Sequence, residues 1–354
     1  TANSYTKRNL LDTVTFADTT TQKHTYDGVG NLLTHTDEEG KVTAHTYDRE
    51  NRETSVELAG EKTDKEYDAI GNLIAVIKPE ANSRTMSYDR LKRISSVMEG
   101  SLTTRYEYDK NGNLRHQYDP QGNRVEYVYD ALNRKVSHIQ HKGTGDLATA
   151  YEYDEEGNLA KETDPKGQVF TSVYDLLNRR TDTSYPIQAG PYLTVTGVHN
   201  DYDANNNTAG ITETKVDAGG GTVTDTTANG YDNFDRLTSS TQRGVTINYA
   251  YDANGNRTRV SAPGGATAYA YDTRNRVTGA TVGGNATGYT YTADGKKKTV
   301  SYPNGAGIAY TYYPTNRVKN VTNTANGAAI SSYAYTYDRD GNRLTQTELQ
   351  GRVT

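Results

Sequence analysis

The chain has 354 residues, a net charge of −5, no cysteine and no tryptophan, which excludes disulfides and thiolate metal sites and leaves no basic stripe for nucleic acid or polybasic patch for membranes. Apolar content is only 33%, yet the low net charge argues against disorder, and 30 tyrosines beside three phenylalanines suit a sheet without a thick oily core. No apolar run approaches a membrane span.

From Tyr5 onward one stretch returns: Tyr, Asp, two variable residues, then Gly or Asn. Its copies include Tyr26/Asp27/Gly30, Tyr47/Asp48/Asn51, Tyr67/Asp68/Gly71, Tyr108/Asp109/Gly112, Tyr129/Asp130/Asn133, Tyr153/Asp154/Gly157 and Tyr174/Asp175/Asn178. Downstream follow Tyr251/Asp252/Gly255, Tyr271/Asp272/Asn275 and Tyr337/Asp338/Gly341, with further copies at Tyr88, Tyr202, Tyr231, Tyr291 and Tyr312. Most of these fifteen copies lie 20 or 21 residues apart, the period of a repeat architecture whose units must stack to be stable. The reading is therefore one array over 1–354, with two longer inserts at Pro186 to Asn200 and Thr208 to Gly230, expected to be elongated hairpins or protruding loops.

The copies read as turns. Asp can hydrogen-bond the backbone two residues on, and Gly or Asn, present at the fourth residue after Tyr in thirteen of fifteen copies, tolerates positive φ. Asp235 also fits a positive φ, which leaves Lys92 for tertiary context to explain. A second period lies inside the first: the turn closes as Gly-Asn at Gly30, Gly71, Gly112 and Gly157 but ends in Arg at Arg52, Arg93, Arg134 and Arg179, so hairpins are expected in pairs. Each unit also holds a second turn, such as Asp119-Pro-Gln-Gly122 or Asp164-Pro-Lys-Gly167, making two strands per unit and placing every Tyr-Asp turn on one edge. Tyr-x-Tyr pairs such as Tyr106/Tyr108 and Tyr127/Tyr129 share a strand face and predict tyrosine ladders. The expected fold is all-β: antiparallel hairpins, roughly thirty strands at ~4.8 Å, stacked into a curled spiral sheet.

With these repeats in view, the chain resembles the YD-repeat, or rearrangement-hotspot (RHS), family. That family includes polymorphic toxins, the cocoon-forming component of insecticidal toxin complexes, wall-associated proteins and teneurins. The resemblance implies a strand spiral wound into a hollow shell, enclosing a C-terminal effector in toxin members, and a secreted or cell-surface setting. The toxin members' Trp-containing core region has no counterpart here, so effector activity does not carry over, and the chain reads as a repeat-only segment of a longer protein.

Chemistry is weighed against repetition. Asp109-Lys-Asn-Gly-Asn113, Asp252-Ala-Asn-Gly-Asn256 and Asp338-Arg-Asp-Gly-Asn342 resemble the start of a calcium loop, but position twelve falls on Pro120, Pro263 and Leu349. His138 and His141 fall on opposite strand faces, and His24 and His45 occupy the slot of the first Tyr elsewhere, so no metal or other cofactor is assigned. Carboxylates that recur with every turn are structural rather than catalytic, and the expectation is no enzyme. The expected role is a shell or scaffold segment whose partners are other YD-repeat segments and an enclosed effector. Alternative roles are an adhesion or carbohydrate-binding module using tyrosines and the inserts, or a self-assembling surface filament.

Overall fold

A computed structural model describes residues 1–80, 82–143, 145–187, 193–217 and 219–348. It holds 32 β-strands of four to ten residues and, among the described residues, no helix. Successive strands pair antiparallel, as Val42–Tyr47 does with Glu53–Leu58 and Glu53–Leu58 with Glu61–Tyr67. The expected all-β hairpin array is thus what forms.

Each Tyr-Asp hairpin carries the same irregularity. Thr46 faces Ser55 but Tyr47 faces Glu53, so Thr54 is an extra residue in its strand. The same slip occurs at Tyr26, Tyr67, Tyr108 and Tyr129. It is the bulge that accompanies a turn closed by a left-handed residue, and it adds local twist to the ladder.

Burial is thin, as a single-layer sheet requires. Ala75, Met86, Val97 and Val300 are the buried apolar residues among those described, and no large side chain is fully enclosed. Hydroxyl pairs across neighbouring strands replace oil on one face, with Thr25–Thr34, Thr290–Thr299 and Thr336–Thr345 each at 2.6 Å.

The chain forms two compact units, Thr1–Ser101 with Tyr251–Thr258 and Ala266–Thr354, and Leu102–Ala250 with Arg259–Gly265. The first unit thus joins a stretch from the early part of the chain with one from its late part. The second contains the inserts, which extend hairpins: Thr194–Tyr202, Thr208–Val216 and Thr222–Tyr231 are strands of nine or ten residues. Residues 188–192 and 218, within those inserts, lie outside the described residues, as does Leu349.

Candidate functional site

The turn at Asp109 shows how the repeat is built. The Asp109 N–H donates to the Asn113 carbonyl at 2.9 Å and Gly112 N–H to the Asp109 carbonyl at 3.2 Å. Asp109 Oδ1 accepts from the N–H groups of Asn111 and Asn113, both at 2.9 Å, and Oδ2 accepts from Asn113 Nδ2 at 3.0 Å. One carboxylate thereby satisfies backbone donors that the tight turn would leave unpaired. The residue four after Tyr has positive φ in all fifteen copies, from 58° at Asp235 to 108° at Gly30, and Lys92 shares this at 61°.

These bonds hold the carboxyls below their ordinary range. For Asp109 the leading cause is the Asn113 side chain, and for Asp175 it is the Arg179 guanidinium, with backbone N–H groups adding to both.

Neighbouring turns are linked in two alternating ways. A Gly-type turn ends in Asn, whose Nδ2 donates to the side-chain oxygen of the left-handed residue one unit on: Asn31 to Asn51 at 2.9 Å, Asn113 to Asn133 at 2.8 Å, Asn158 to Asn178 at 3.0 Å, Asn256 to Asn275 at 2.8 Å. An Arg-type turn instead sends its guanidinium forward over the next tyrosine ring and towards the next turn's carbonyl. Arg52 lies 4.7 Å from the Tyr67 ring and 3.3 Å from the Asp68 oxygen, and Arg317 reaches the Asp338 oxygen at 3.0 Å. At Gly341, whose φ is 96°, space is tight as well, since a Cβ there would stand 3.1 Å from the Arg317 guanidinium.

Gly255 holds the same left-handed turn conformation as the other Gly-type copies. A Cβ on Gly71 or Gly157 would meet the arriving Arg52 or Arg134 at 3.7 or 3.8 Å, whereas a Cβ on Gly255 would enter open space, and the residue is exposed. Its N–H donates to the Asp252 carbonyl at 3.1 Å and its φ is 86°, so Gly255 shapes its own turn. The physical reason for glycine there is the left-handed backbone alone.

The alternation runs unbroken through the long hairpins. Arg179 Nη1 donates to Asn206 Oδ1 at 2.9 Å, and Asn207 Nδ2 to Asp235 Oδ1 at 2.8 Å. Lys92 reverses the direction, donating through Nζ to the Ile70 carbonyl of the preceding turn at 3.1 Å.

The tyrosines differ from the expected ring ladder. Their hydroxyls donate back to a carbonyl of the preceding hairpin, as Tyr26 to Leu11 at 2.8 Å, Tyr129 to Leu114 at 3.0 Å and Tyr291 to Val277 at 2.7 Å. The rings receive cations, Arg134 on Tyr153 at 4.7 Å and Arg179 on Tyr202 at 4.6 Å, where stacking on another tyrosine was expected. Tyr313 and Tyr337 do meet, edge-on at 6.2 Å.

The second feature is a seam inside the first unit. Here Tyr-Asp turns near the end of the chain lie on the opposite-edge turns near its beginning. Arg274 Nη2 pairs with Glu38 at 2.5 Å, and its guanidinium lies 4.0 Å from the Phe16 ring. Lys41 Nζ donates to Asp294 at 2.9 Å and Asn316 at 3.0 Å. Arg317 forms a two-pronged pair with Glu61 at 2.6 and 2.7 Å, and Asp340 accepts from Glu80 N–H at 3.0 Å and from Asn82. The Glu38 and Asp294 carboxyls are only 4% and 6% exposed. No local sequence signal marks this seam, because its partners are 236 to 275 residues apart.

Histidines sit in carboxylate company. His116 bonds Glu107 at 2.8 Å, His141 bonds Glu126 at 3.2 Å and Asp146 at 3.0 Å, and His138 stacks on Tyr127 at 5.3 Å. Among the described residues no group of three His, Asp or Glu is arranged to hold a metal ion.

Edge-linked hairpins of this kind, repeated and sewn turn to turn, define a β-hairpin repeat protein. The Teneurin YD-shell model matches residues 3–142, and the RHS Repeat model matches 153–186, 231–267 and 251–287. The chain belongs to the YD/RHS repeat family.

Among solved structures, TcdB2-TccC3 without its hypervariable C-terminal region aligns with a TM-score of 0.73 at 13% identity, over 98% of this chain and 23% of that one. The Tc holotoxin pore of Photorhabdus luminescens aligns at 0.67 and 16% identity, over 99% and 23%. TcdB2-TccC3-Cdc42 aligns at 0.71 and 14%, over 94% and 22%. The likeness is one of fold, and the chain spans less than a quarter of those chains. No curated protein matches the sequence.

Proposed function

We propose that this chain is a length of shell wall: a non-catalytic YD-repeat scaffold of a secreted or cell-surface protein, whose wall encloses a polypeptide effector. The thirty repeat residues from Tyr26 to Gly341 named above act as turn and linkage groups, and the two compact units are stretches of one array over 1–354. The observation that carries this is the seam, since fastening hairpins some 250 residues apart is what a continuous wall needs. The fold likeness to the TcdB2-TccC3 structures supports it, one of which is described as being without its hypervariable C-terminal region. The partners on this reading are further YD-repeat windings and the enclosed effector.

The test is proteolysis of the complete natural protein, with the region beyond the repeats followed by mass spectrometry. That region should resist cleavage while the wall is intact and become sensitive after Arg317→Ala/Arg274→Ala opens the seam. Equal cleavage with the wall intact or opened would sink the proposal.

A further inference from the structure

The seam provides a template for contact between turn edges, and the same unit carries an unused copy of each half. Its Tyr-Asp edge near the chain start is undocked. There the third residue after each Tyr is Val29, Glu50, Ile70 and Leu91, and the three apolar tips are 73%, 62% and 70% exposed. In the docked stretch the same position holds Arg274, Asp294, Thr315 and Asp340. The polar tips are thus the ones in contact and the apolar ones face solvent. This reverses what water alone favours, because apolar groups in a row mark a surface awaiting cover.

The opposite edge near the chain end is also undocked and also apolar. Val282 and Tyr302 are 55% and 40% exposed, and with Pro303 they flank the turns at Gly283–Gly284 and Pro303–Gly305. A hollow of about 650 Å³ lined by Asn285, Tyr302, Pro303, Asn304 and Ala306 opens on this edge. It can seat a branched side chain of Ile or Leu size. The Val282 and Tyr302 edge has no charged residue at these turns to meet the charged tips of the docked stretch, whereas it can take apolar ones; on the other free edge Arg49, Glu50, Arg90 and Lys92 are exposed around the apolar tips.

We propose that the edge at Val29, Ile70 and Leu91 docks on the Val282, Tyr302 and Pro303 edge of a second copy of this chain, turn on turn as in the seam. The contact is head-to-tail, so a pair of copies retains one free edge of each kind and association is open-ended. Four hairpins at ~9.6 Å each (two strands at ~4.8 Å), about 10 Å thick, cover of order 800 Å² in total, below the usual size of stable specific contacts. Association is therefore weak and dependent on concentration.

Sedimentation velocity of the intact chain from about 5 to 500 μM tests this. The expected result is an average mass rising above the monomer, with no rise for Ile70→Glu/Leu91→Glu or for Val282→Glu/Tyr302→Glu alone. An equimolar mixture of the two variants should form dimers and stop there, because each supplies the edge the other has lost. All substituted tips are exposed, and circular dichroism checks that the variants stay folded. If either does not, hydrogen exchange of the wild type at 68–71 and 302–305 reads the contact directly, slowing as concentration rises. A wild type that stays monomeric, variants that associate like the wild type, or exchange at both turns indifferent to concentration would each overturn the proposal.

Discussion

Asn113 donates its side-chain amide to the side-chain oxygen of Asn133 at 2.8 Å, so one turn is tied to the next by a pair of residues twenty apart. Asn133 is fit for this twice over. It accepts the bond, and it holds φ at 61°, which most residues resist.

Separating the two roles gives a first prediction. Asn133→Gly removes only the acceptor and should cost about 1 kcal/mol, whereas Asn133→Ala adds left-handed strain and should cost about 2 to 3 kcal/mol. Urea unfolding of both variants checks the order, Ala below Gly below wild type.

Acid should loosen the turns. The Asp carboxyls of the turns have folded-state pKa values below the unfolded one, Asp109 through Asn113 and Asp175 through Arg179 first of all. The unfolded chain then binds protons more readily, so this stabilisation is complete above the unfolded value near ~3.9 and is lost as pH falls through the folded values. The melting temperature should be flat in this respect from about pH 5 upward and fall steeply below about pH 4. His199 runs the other way, raised by Asp182, and its share is lost as pH rises through its folded value. Thermal melts across pH 2 to 8 would reveal both.

Glu61→Gln should weaken the seam, because its two-pronged bond to Arg317 becomes at best a single bond from the guanidinium to an uncharged acceptor. A loss of about 1 to 2 kcal/mol is expected, local to the seam. Hydrogen exchange should accelerate at 59–61 and 338–341 and stay unchanged in the Asp130 turn.

Ala59 turns at φ 53° ahead of Gly60 at 82°, a two-residue hairpin that asks for Asn at its first position. Ala59→Asn should raise stability by about 0.5 to 1 kcal/mol, since Asn is at ease there. A shift of the urea midpoint to higher denaturant is the readout.

The turn chemistry was legible because it is local: Asp109 and Gly112 are three residues apart and each has one clear conformational use. The alternation of Asn and Arg was visible too, but its cause was not, since Asn113 and Arg134 act on residues of the following unit. Lys92 looked like a breach until its reach back to Ile70 was seen. The tyrosine pairs suggested stacked rings by their spacing alone, yet spacing does not reveal that Arg134 covers Tyr153 or that Tyr129 bonds to Leu114. The seam was invisible, because Arg274 and Glu38 belong to no pattern that links them.

The alternating turn links also restrict how such a chain can change length. Removing a single unit sets two turns of like kind side by side. Joining Tyr108 to Asp130, for example, would delete the Gly112 turn and aim Arg93 at Asn133, and a Gly-type neighbour would be missing. Removing two restores the order. Insertions and deletions should therefore survive in even steps of about forty residues, so the array has a parity that recombination must respect even though every unit shares one fold.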